Sequence, residues 1–270
     1  MYKQISRLSV RSVVMLFNLV RFFAVIALFY IVYKLLLEQL LDGSQQILAV
    51  FGLWIFSAYI ALPRLHRLLT KYYLPNYFVG RVRSGSGLLS DPVNLAFFSN
   101  KETLVRAMKR AGWKQAEQLT IRTYLKTVVA ILLRRSYPTA PVGNMYLFNR
   151  KQDFAFQIEI GGTPNARHHI RFWKTPHGWR LPGGHRADWL AAATYDSGVG
   201  FKLATGQIDH TIDTNIDQER DFIIATLKKN ACVDKIEIVK HFTDSYHDHN
   251  NGGDRIKTDG TLPFITIRNV

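Results

Sequence analysis

The chain has 270 residues, with 35 Lys and Arg, 20 Asp and Glu, and a formal net charge of +15 at pH 7. This length has room for one soluble domain plus a further segment. The single cysteine, Cys232, excludes an internal disulfide and fits a reducing compartment. Before Asp91 there are ten Lys and Arg against two Asp and Glu, a net +8, and from Asp91 onward 25 against 18, a net +7. Because half of the excess lies near the N-terminus, a nucleic-acid-binding domain is not indicated.

Two apolar runs near the N-terminus, about 13–37 and about 45–65, are predicted to be transmembrane helices. A spanning helix needs roughly 20 apolar residues, which the first run exceeds and the second just reaches. The alternatives are a pair of buried core helices or, for the first run, a cleaved signal peptide. No small-residue cleavage site closes that run, which disfavours the signal peptide. Residues 1–70 are therefore predicted to form a membrane anchor.

Basic residues flank the two predicted spans and are absent from the short connection between them, which carries Glu38 and Asp42. The flanking residues are Lys3, Arg7 and Arg11 on one side and Arg64, Arg67, Lys71, Arg81 and Arg83 on the other. Positive flanks stay on the cytoplasmic side of a membrane. We therefore expect a multi-pass protein of the cell membrane with both termini in the cytoplasm and the lipid bilayer as a partner.

The rest of the chain is predicted to be a linker and one soluble domain. RVRSGSGLLS is rich in Gly and Ser, so 71–90 is predicted to be a juxtamembrane linker and 91–270 the domain. A short strand at 93–98 precedes helices at 101–111 and 120–135, and one more helix is expected at 217–229. Further strands are predicted at 145–148, 153–159, 167–173, 189–195, 235–242 and 261–268. This order predicts an α+β fold, with an antiparallel or mixed sheet flanked by helices.

The predicted helix at 120–135 is amphipathic. Its apolar face contains Ile121, Leu125, Val128, Val129 and Leu132, and its other face carries Arg122 and Lys126. Such a helix usually covers a sheet with its apolar face. The second interpretation is a basic helix that lies on the bilayer.

Alternation along two neighbouring strands predicts a polar sheet face. Arg167, His169 and Arg171 share one side of the strand RHHIRFW, and Asp153 and Gln157 share one side of DFAFQIE. If the strands pair as a hairpin, these five side chains lie together. Two Arg flanking a His suit a phosphate or a carboxylate. The alternative is a solvated face with weak cross-strand ion pairs.

Two acidic segments add candidate residues. Asp196 ends the predicted strand AAATYD beside the glycines of SGVG, where both catalytic carboxylates and simple turn residues occur. In DHTIDTNIDQERD, we select His210 and Asp213 as candidates for proton transfer or for a divalent cation. Asp217 could instead start a helix, in a capping box with Thr214. Known metal and nucleotide motifs are absent, so no metal is assigned, and a divalent ion is the single cofactor suggested.

Several segments, in order and with matching spacing, resemble the LssY C-terminal domain family over about 91–230. They are DPVN (91–94), AGW (111–113), YPTAPV (137–142), YLFNRKQDFAFQ (146–157), RHHIRFW (167–173), AATYD (192–196), TGQ (205–207) and IDTNIDQERD (212–221). In larger relatives this domain follows DedA-like or type 2 phosphatidic acid phosphatase-like membrane modules. The resemblance supports the boundary of the fold and the region of the site, and it implies no particular reaction. Many relatives have two His before the acidic element, where this chain has only His210.

The sequence therefore predicts a membrane-anchored cytoplasmic domain that binds or acts on a phosphorylated or anionic lipid-related ligand, for example as a phosphoesterase-type hydrolase. The candidate catalytic residues are His169, His210, Asp196 and Asp213, and the candidate ligand-binding residues are Arg167, Arg171, Asp153 and Gln157. The alternative is a non-catalytic module that docks on anionic headgroups or on a membrane protein. An enzyme would surround one concave pocket with His and carboxylate groups, whereas a docking module would spread Arg over a flat face.

Overall fold

The structure, a computed structural model, describes residues 26–27, 29–38, 46–73, 78–202, 207–243 and 247–269. The chain divides into two compact units, Met1–Leu62 and Pro63–Val270. The second unit contains the sheets and the polar residues singled out above.

One helix is long and apolar enough to cross a membrane. A helical stretch consists of α1 (Gln46–Phe56), a π-helical turn (Ser57–Ala61) and α2 (Leu62–Tyr73). Its segment Gln46–His66 has a mean hydropathy of 1.8, and only 11% of its most apolar stretch is buried. The core helix of a soluble protein would be mostly buried. Among the described residues, Gln46–His66 is the single candidate span. The first predicted span, 13–37, lies largely outside them, although 29–38 is helical, so the prediction of two spans is not confirmed.

The second unit is built on a mixed eight-stranded sheet in the order β11-β14-β3-β9-β8-β7-β4, with β10 paired to β9. All of its pairs are antiparallel except β14 with β3. The strands are β3 (Leu95–Phe98), β4 (Lys114–Gln115), β7 (Phe154–Ile160), β8 (Ala166–Lys174), β9 (Trp189–Lys202), β10 (Gln207–Ile212), β11 (Val233–Val239) and β14 (Leu262–Ile267). The predicted α+β class with a mixed sheet is confirmed.

Two smaller sheets accompany the large one. A four-stranded sheet has the order β2-β1-β5-β6, and β12 pairs with β13. Their strands are β1 (Arg81–Ser84), β2 (Leu89–Pro92), β5 (Met145–Leu147), β6 (Arg150–Lys151), β12 (His247–His249) and β13 (Arg255–Lys257).

After α2, the described part of the sheet-bearing unit has the helices α3 (Lys101–Arg110), α4 (Ile121–Leu132) and α5 (Ile216–Lys229). The side chain of Asn100 caps α3, because it accepts a hydrogen bond from the third backbone N–H of the helix. The cap of α5 is Asn215, whose side chain accepts from the backbone N–H of Asp217. The predicted capping box at Thr214 is therefore wrong by one residue.

The main core lies on one face of the large sheet. Ile170 and Phe172 of β8 point into it, and the rings of Phe154 and Phe172 stack with centroids 4.9 Å apart. Leu104 of α3 and Ile223 of α5 cover these side chains. Since side chains alternate along a strand, the residues between them face the opposite side of the sheet, where the polar candidates lie.

The predicted linker at 71–90 is folded in its second half. Strands β1 and β2 pair across the segment SGSG, and Val82 and Ser90 are fully buried. The Gly and Ser residues thus form a hairpin turn, with Gly87 at a φ of 87°, and the folded unit begins well before residue 91.

Strand β9 continues beyond the predicted end at Tyr195. Gly198 and Gly200 lie within the strand, opposite Thr211 and Asp209 of β10, and the register shifts at the Asp196 end of this pairing. Asp196 is therefore inside a bulged strand and does not end it. Gly198 and Gly200, which the sequence analysis placed beside a turn, instead belong to one strand of the β9–β10 hairpin.

Candidate functional site

The polar face of the large sheet is formed where β8 lies between β7 and β9. Arg167 pairs with Asp196, His169 with Thr194, and Arg171 with Ala192 across the β8–β9 ladder. Directly paired residues lie on the same face of a sheet. The small side chain of Ala192 therefore lies on the same face as Arg171.

Arg167 is held by several buried acceptors. Its Nε donates to Asp196 Oδ2 at 3.0 Å, and its Nη1 donates to Gln157 Oε1 at 2.9 Å and to the carbonyl of Pro141 at 3.1 Å. Only 3% of Arg167 is exposed. The segment YPTAPVG contributes the carbonyl, so this rigid loop is packed against the polar face and forms one wall of the site.

Arg171 is paired with a carboxylate from a distant part of the chain. Its Nη1 donates to Asp91 Oδ2 at 3.1 Å, and its Nε donates to the carbonyl of Gly143 at 3.1 Å. The DPVN segment is fixed by Asn94, whose side-chain amide bonds both the carbonyl and the N–H of Ala193 at 2.9 and 3.0 Å. This clamp on β9 places Asp91 beside Arg171.

Two imidazoles lie near Asp196 Oδ2, the carboxylate oxygen that accepts a hydrogen bond from Arg167. The Nδ1 atoms of His169 and His210 lie 3.4 and 3.6 Å from Asp196 Oδ2. Among the described residues, neither Nδ1 has a hydrogen-bond partner. Asp196 thus lies at the centre of a convergent set of one guanidinium and two imidazoles.

The partners of the two His differ in a way that assigns their roles. His169 Nε2 lies 2.6 Å from Arg171 Nη1, which can only donate, and 3.0 Å from Thr194 Oγ1. His169 is therefore an acceptor at Nε2, carries its proton on Nδ1 towards Asp196, and is enclosed by protein. His210 retains 19% side-chain exposure, and its Nε2 has Arg167 Nη2 at 3.5 Å. His210 is the imidazole that a ligand can reach.

Burial and charge set the protonation of these groups. Burial lowers the pKa of His169 and of His210, so both rings are neutral near pH 7. Burial by itself raises the pKa of Asp196, but His169, His210 and Arg167 outweigh that effect and hold its pKa well below the usual range. The site therefore combines an ionised carboxylate with two neutral imidazoles, the combination that general acid–base catalysis uses.

We expect the stability of the protein to fall as the pH drops below about 6.5, the ordinary His value. Above that pH the contribution of a buried neutral His is fully present, and below it the unfolded chain binds protons that the folded state does not. Urea unfolding at about pH 7.5 and about pH 5.5 should show this fall, and His169→Asn should reduce it. Glu219, whose pKa is raised by burial, acts in the opposite direction in both proteins. An equal fall in both would contradict the assignment of His169.

A small cavity opens at the centre of this cluster. Its volume is about 50 Å³, whereas one water needs roughly 10–15 Å³. The cavity has room for a few waters or for one group the size of a phosphoryl. It is lined by Asp91, Gly143, Met145, Arg167, His169, Arg171, Thr194, Asp196, Asp209, His210, Ile212, Asn250, Asn251 and Gly252.

The structure brings most of the sequence-predicted residues together. The cavity lining contains the two Arg, the two His and one of the acids selected from the sequence, and Gln157 contacts this set through Arg167. In this part of the chain, His and carboxylate groups border one concave cavity. The convergent predicted residues are Arg167, Arg171, His169, His210, Asp196 and Gln157.

Two predicted residues lie elsewhere. Asp153 precedes β7 instead of lying within it, and its carboxylate pairs with Arg150 at 2.7 Å. Asp213 follows the register shift at the end of β10, and its carboxylate accepts a turn hydrogen bond from the N–H of Asn215 at 2.8 Å. Both carboxylates make local contacts outside the cavity: Asp153 lies one residue before the strand whose alternation was extrapolated, and Asp213 lies one residue after β10.

The acids of the first turns of α5 are also outside the cavity. Glu219 pairs with His168 Nδ1 at 2.6 Å, on the sheet face opposite His169. Asp217 accepts hydrogen bonds from the Thr258 hydroxyl and from Arg220. Among the described residues, no group of three or more His, Cys, Asp or Glu is arranged to hold a metal ion.

The sequence interpretation missed several lining residues. Asp91, Thr194 and Asp209 contribute polar groups, and Asn250 and Asn251 come from the turn after β12. Asp91 lies 80 residues from its partner Arg171. Strand alternation could have selected Thr194, which is two residues from Asp196, but no local pattern links Asp91 or the Asn turn to this site.

The fold and the site thus define an α+β sheet domain with a buried Arg, His and Asp cluster on its polar face. The LssY C-terminus family model matches residues 71–262, well over half of the chain, and the chain belongs to this family. The match confirms the resemblance and extends it at both ends, in keeping with the folded hairpin before residue 91. No curated protein and no solved structure gave a significant match.

Proposed function

We propose that the sheet-bearing unit takes the anionic group of a phosphorylated, lipid-related ligand into the cavity and acts on it by proton transfer. The observation that carries this proposal is the convergence of Arg167, His169 and His210 on the single carboxylate of Asp196 inside a concavity. Guanidinium groups suit phosphate, and the cavity volume suits one phosphoryl group rather than a whole lipid.

Within this proposal the residues have separate roles. Arg167 and Arg171 hold the anion, in exchange for part of their present contacts with carbonyl and amide oxygens. His210 transfers the proton, because its ring lies beside the Asp196 carboxylate and is partly exposed. Asp196 orients both imidazoles, and His169 fixes the Arg171 guanidinium through Nε2. Hydrolysis of a phosphoester is the reaction that these groups favour.

The lipid-related nature of the ligand is supported by the rest of the chain. A helix able to cross a membrane, Gln46–His66, precedes the first strand in the sequence, and basic residues follow it. In this proposal the protein is anchored in the cell membrane with both termini in the cytoplasm. The unit then meets ligands presented by the inner leaflet.

The burial of the two Arg favours a ligand site over a docking face. Arg167 and Arg171 are 3% and 5% exposed, whereas a module that docks on headgroups or on a protein needs accessible guanidinium groups. A docking interface also does not require His and Asp side chains that are enclosed by protein, such as His169 and Asp196.

Binding is tested by histidine NMR on the full chain in lipid nanodiscs, with glycerol phosphate as the probe and glycerol as its uncharged control. We expect glycerol phosphate to shift the ring nitrogen signals of His210 and to raise the pKa of this residue, because a nearby anion favours the charged imidazole. The exposed His177 serves as the internal reference. If His210 responds no more than His177, the cavity does not bind this class of ligand.

A further inference from the structure

Helix α4 presents its apolar face to solvent. Ile121 and Leu132, near the two ends of the helix, are 81% and 75% exposed. The exposed apolar side chains recur at helical spacing and form one continuous stripe: Ile121, Tyr124, Leu125, Val129, Leu132 and Leu133. Soluble surfaces rarely leave such a stripe uncovered unless something binds there. The sequence interpretation that this face covers the sheet is wrong.

The opposite side of α4 attaches the helix to its unit. Its buried residues are Thr127 and Ala130, and Ala130 packs against Tyr137 and Ala140. The start of the helix is fixed by a capping box between Thr120 and Thr123. The apolar stripe points outward because the small side chains of Thr127 and Ala130 form the face of α4 that packs against the unit.

The borders of the stripe are basic. From Gln118 to Arg135 the sequence has four Lys and Arg and no Asp or Glu. Arg122 and Lys126 lie beside the stripe, and the Lys126 ammonium is 3.8 Å from the centre of the Tyr137 ring. Arg134 and Arg135 follow the last turn and are exposed. An apolar face bordered by cations complements an anionic lipid surface.

We propose that α4 lies in the headgroup region of an anionic bilayer, with its apolar stripe inserted among the acyl chains. The candidate spanning helix Gln46–His66 belongs to the same chain, so a membrane surface is available at high effective concentration. A second copy of the chain would bring the same cations together, which disfavours self-association through this face. The proposal does not depend on the ligand of the cavity.

The test uses the full chain in vesicles of phosphatidylcholine with about a third phosphatidylglycerol, some lipids carrying a nitroxide on the acyl chain. An environment-sensitive fluorophore is attached to Leu125→Cys or, as the control, to Lys228→Cys on the exposed side of α5. Cys232 is buried and does not compete for the label. We expect about threefold or greater quenching at Leu125 relative to Lys228.

Two outcomes would overturn the proposal. Equal quenching at the two positions would show that α4 does not enter the bilayer. A Leu125 probe that is shielded from soluble iodide but is not quenched by the nitroxide lipid would show that a protein, or a second copy, covers the stripe. Because Leu125 is an exposed side chain, its replacement leaves the fold intact.

Discussion

Replacing Asp196 with alanine is expected to destabilise the sheet-bearing unit by about 3–5 kcal/mol. The carboxylate is the partner of the buried Arg167 at 3.0 Å and lies near the Nδ1 atoms of His169 and His210. Asp196→Ala leaves the guanidinium in a low-dielectric interior without its counter-charge, and this uncompensated charge dominates the loss. Urea unfolding of the full chain in detergent, followed by tryptophan fluorescence, measures it.

Asp153→Ala is the matched control for this prediction. Asp153 also pairs with an Arg, at 2.7 Å, but both side chains are partly exposed. Exposed pairs contribute on the order of 0–1 kcal/mol, so the two variants should differ several-fold in their effect on the free energy of unfolding. If they were equal, the buried pair would not be a central element of the site.

The part of the site that lies on neighbouring strands could be predicted from the sequence. Side chains alternate along β7 and β8, so the positions of Arg167, His169, Arg171 and Gln157 on one face follow from a period of two. The assumed hairpin pairing of β7 with β8 predicted that Gln157 lies beside the three side chains of β8. The same rule failed for Asp153, because it assumes that the strand extends to the residue in question.

Contacts between distant segments could not be predicted in this way. Asp91 reaches Arg171 because Asn94 clamps its segment to Ala193 in β9, and this pairing depends on the order of strands in the sheet. The extension of β9 through Gly198 and Gly200 also could not be predicted, because it depends on pairing with another strand. Glycine favours turns in isolation, and only the partner strand β10 keeps this stretch extended.

The orientation of α4 shows the limit of amphipathicity as a guide. Its apolar stripe was expected to face the sheet, but Thr127 and Ala130 form the attached side. A hydrophobic stripe indicates that a helix face avoids water, and the sequence does not say whether protein or lipid covers it.

The second large effect is expected for His210→Gln, which should lower turnover of a phosphorylated lipid by about 10²–10⁴-fold, the usual contribution of a general acid–base group. Glutamine keeps a polar, neutral side chain, and the partial exposure of His210 makes a large loss of stability unexpected. His177→Gln, at an exposed position, is the matched control.

Release of inorganic phosphate from phosphatidic acid and related phosphomonoester lipids tests the central claim most directly. The full chain in nanodiscs would be assayed with and without divalent cations, beside His210→Gln and His177→Gln. The cavity at Arg167, His210 and Asp196 predicts release by the wild type and by His177→Gln, with release largely lost in His210→Gln. Release by His210→Gln at the wild-type rate, or no release by the wild type from any phosphorylated lipid, would contradict it.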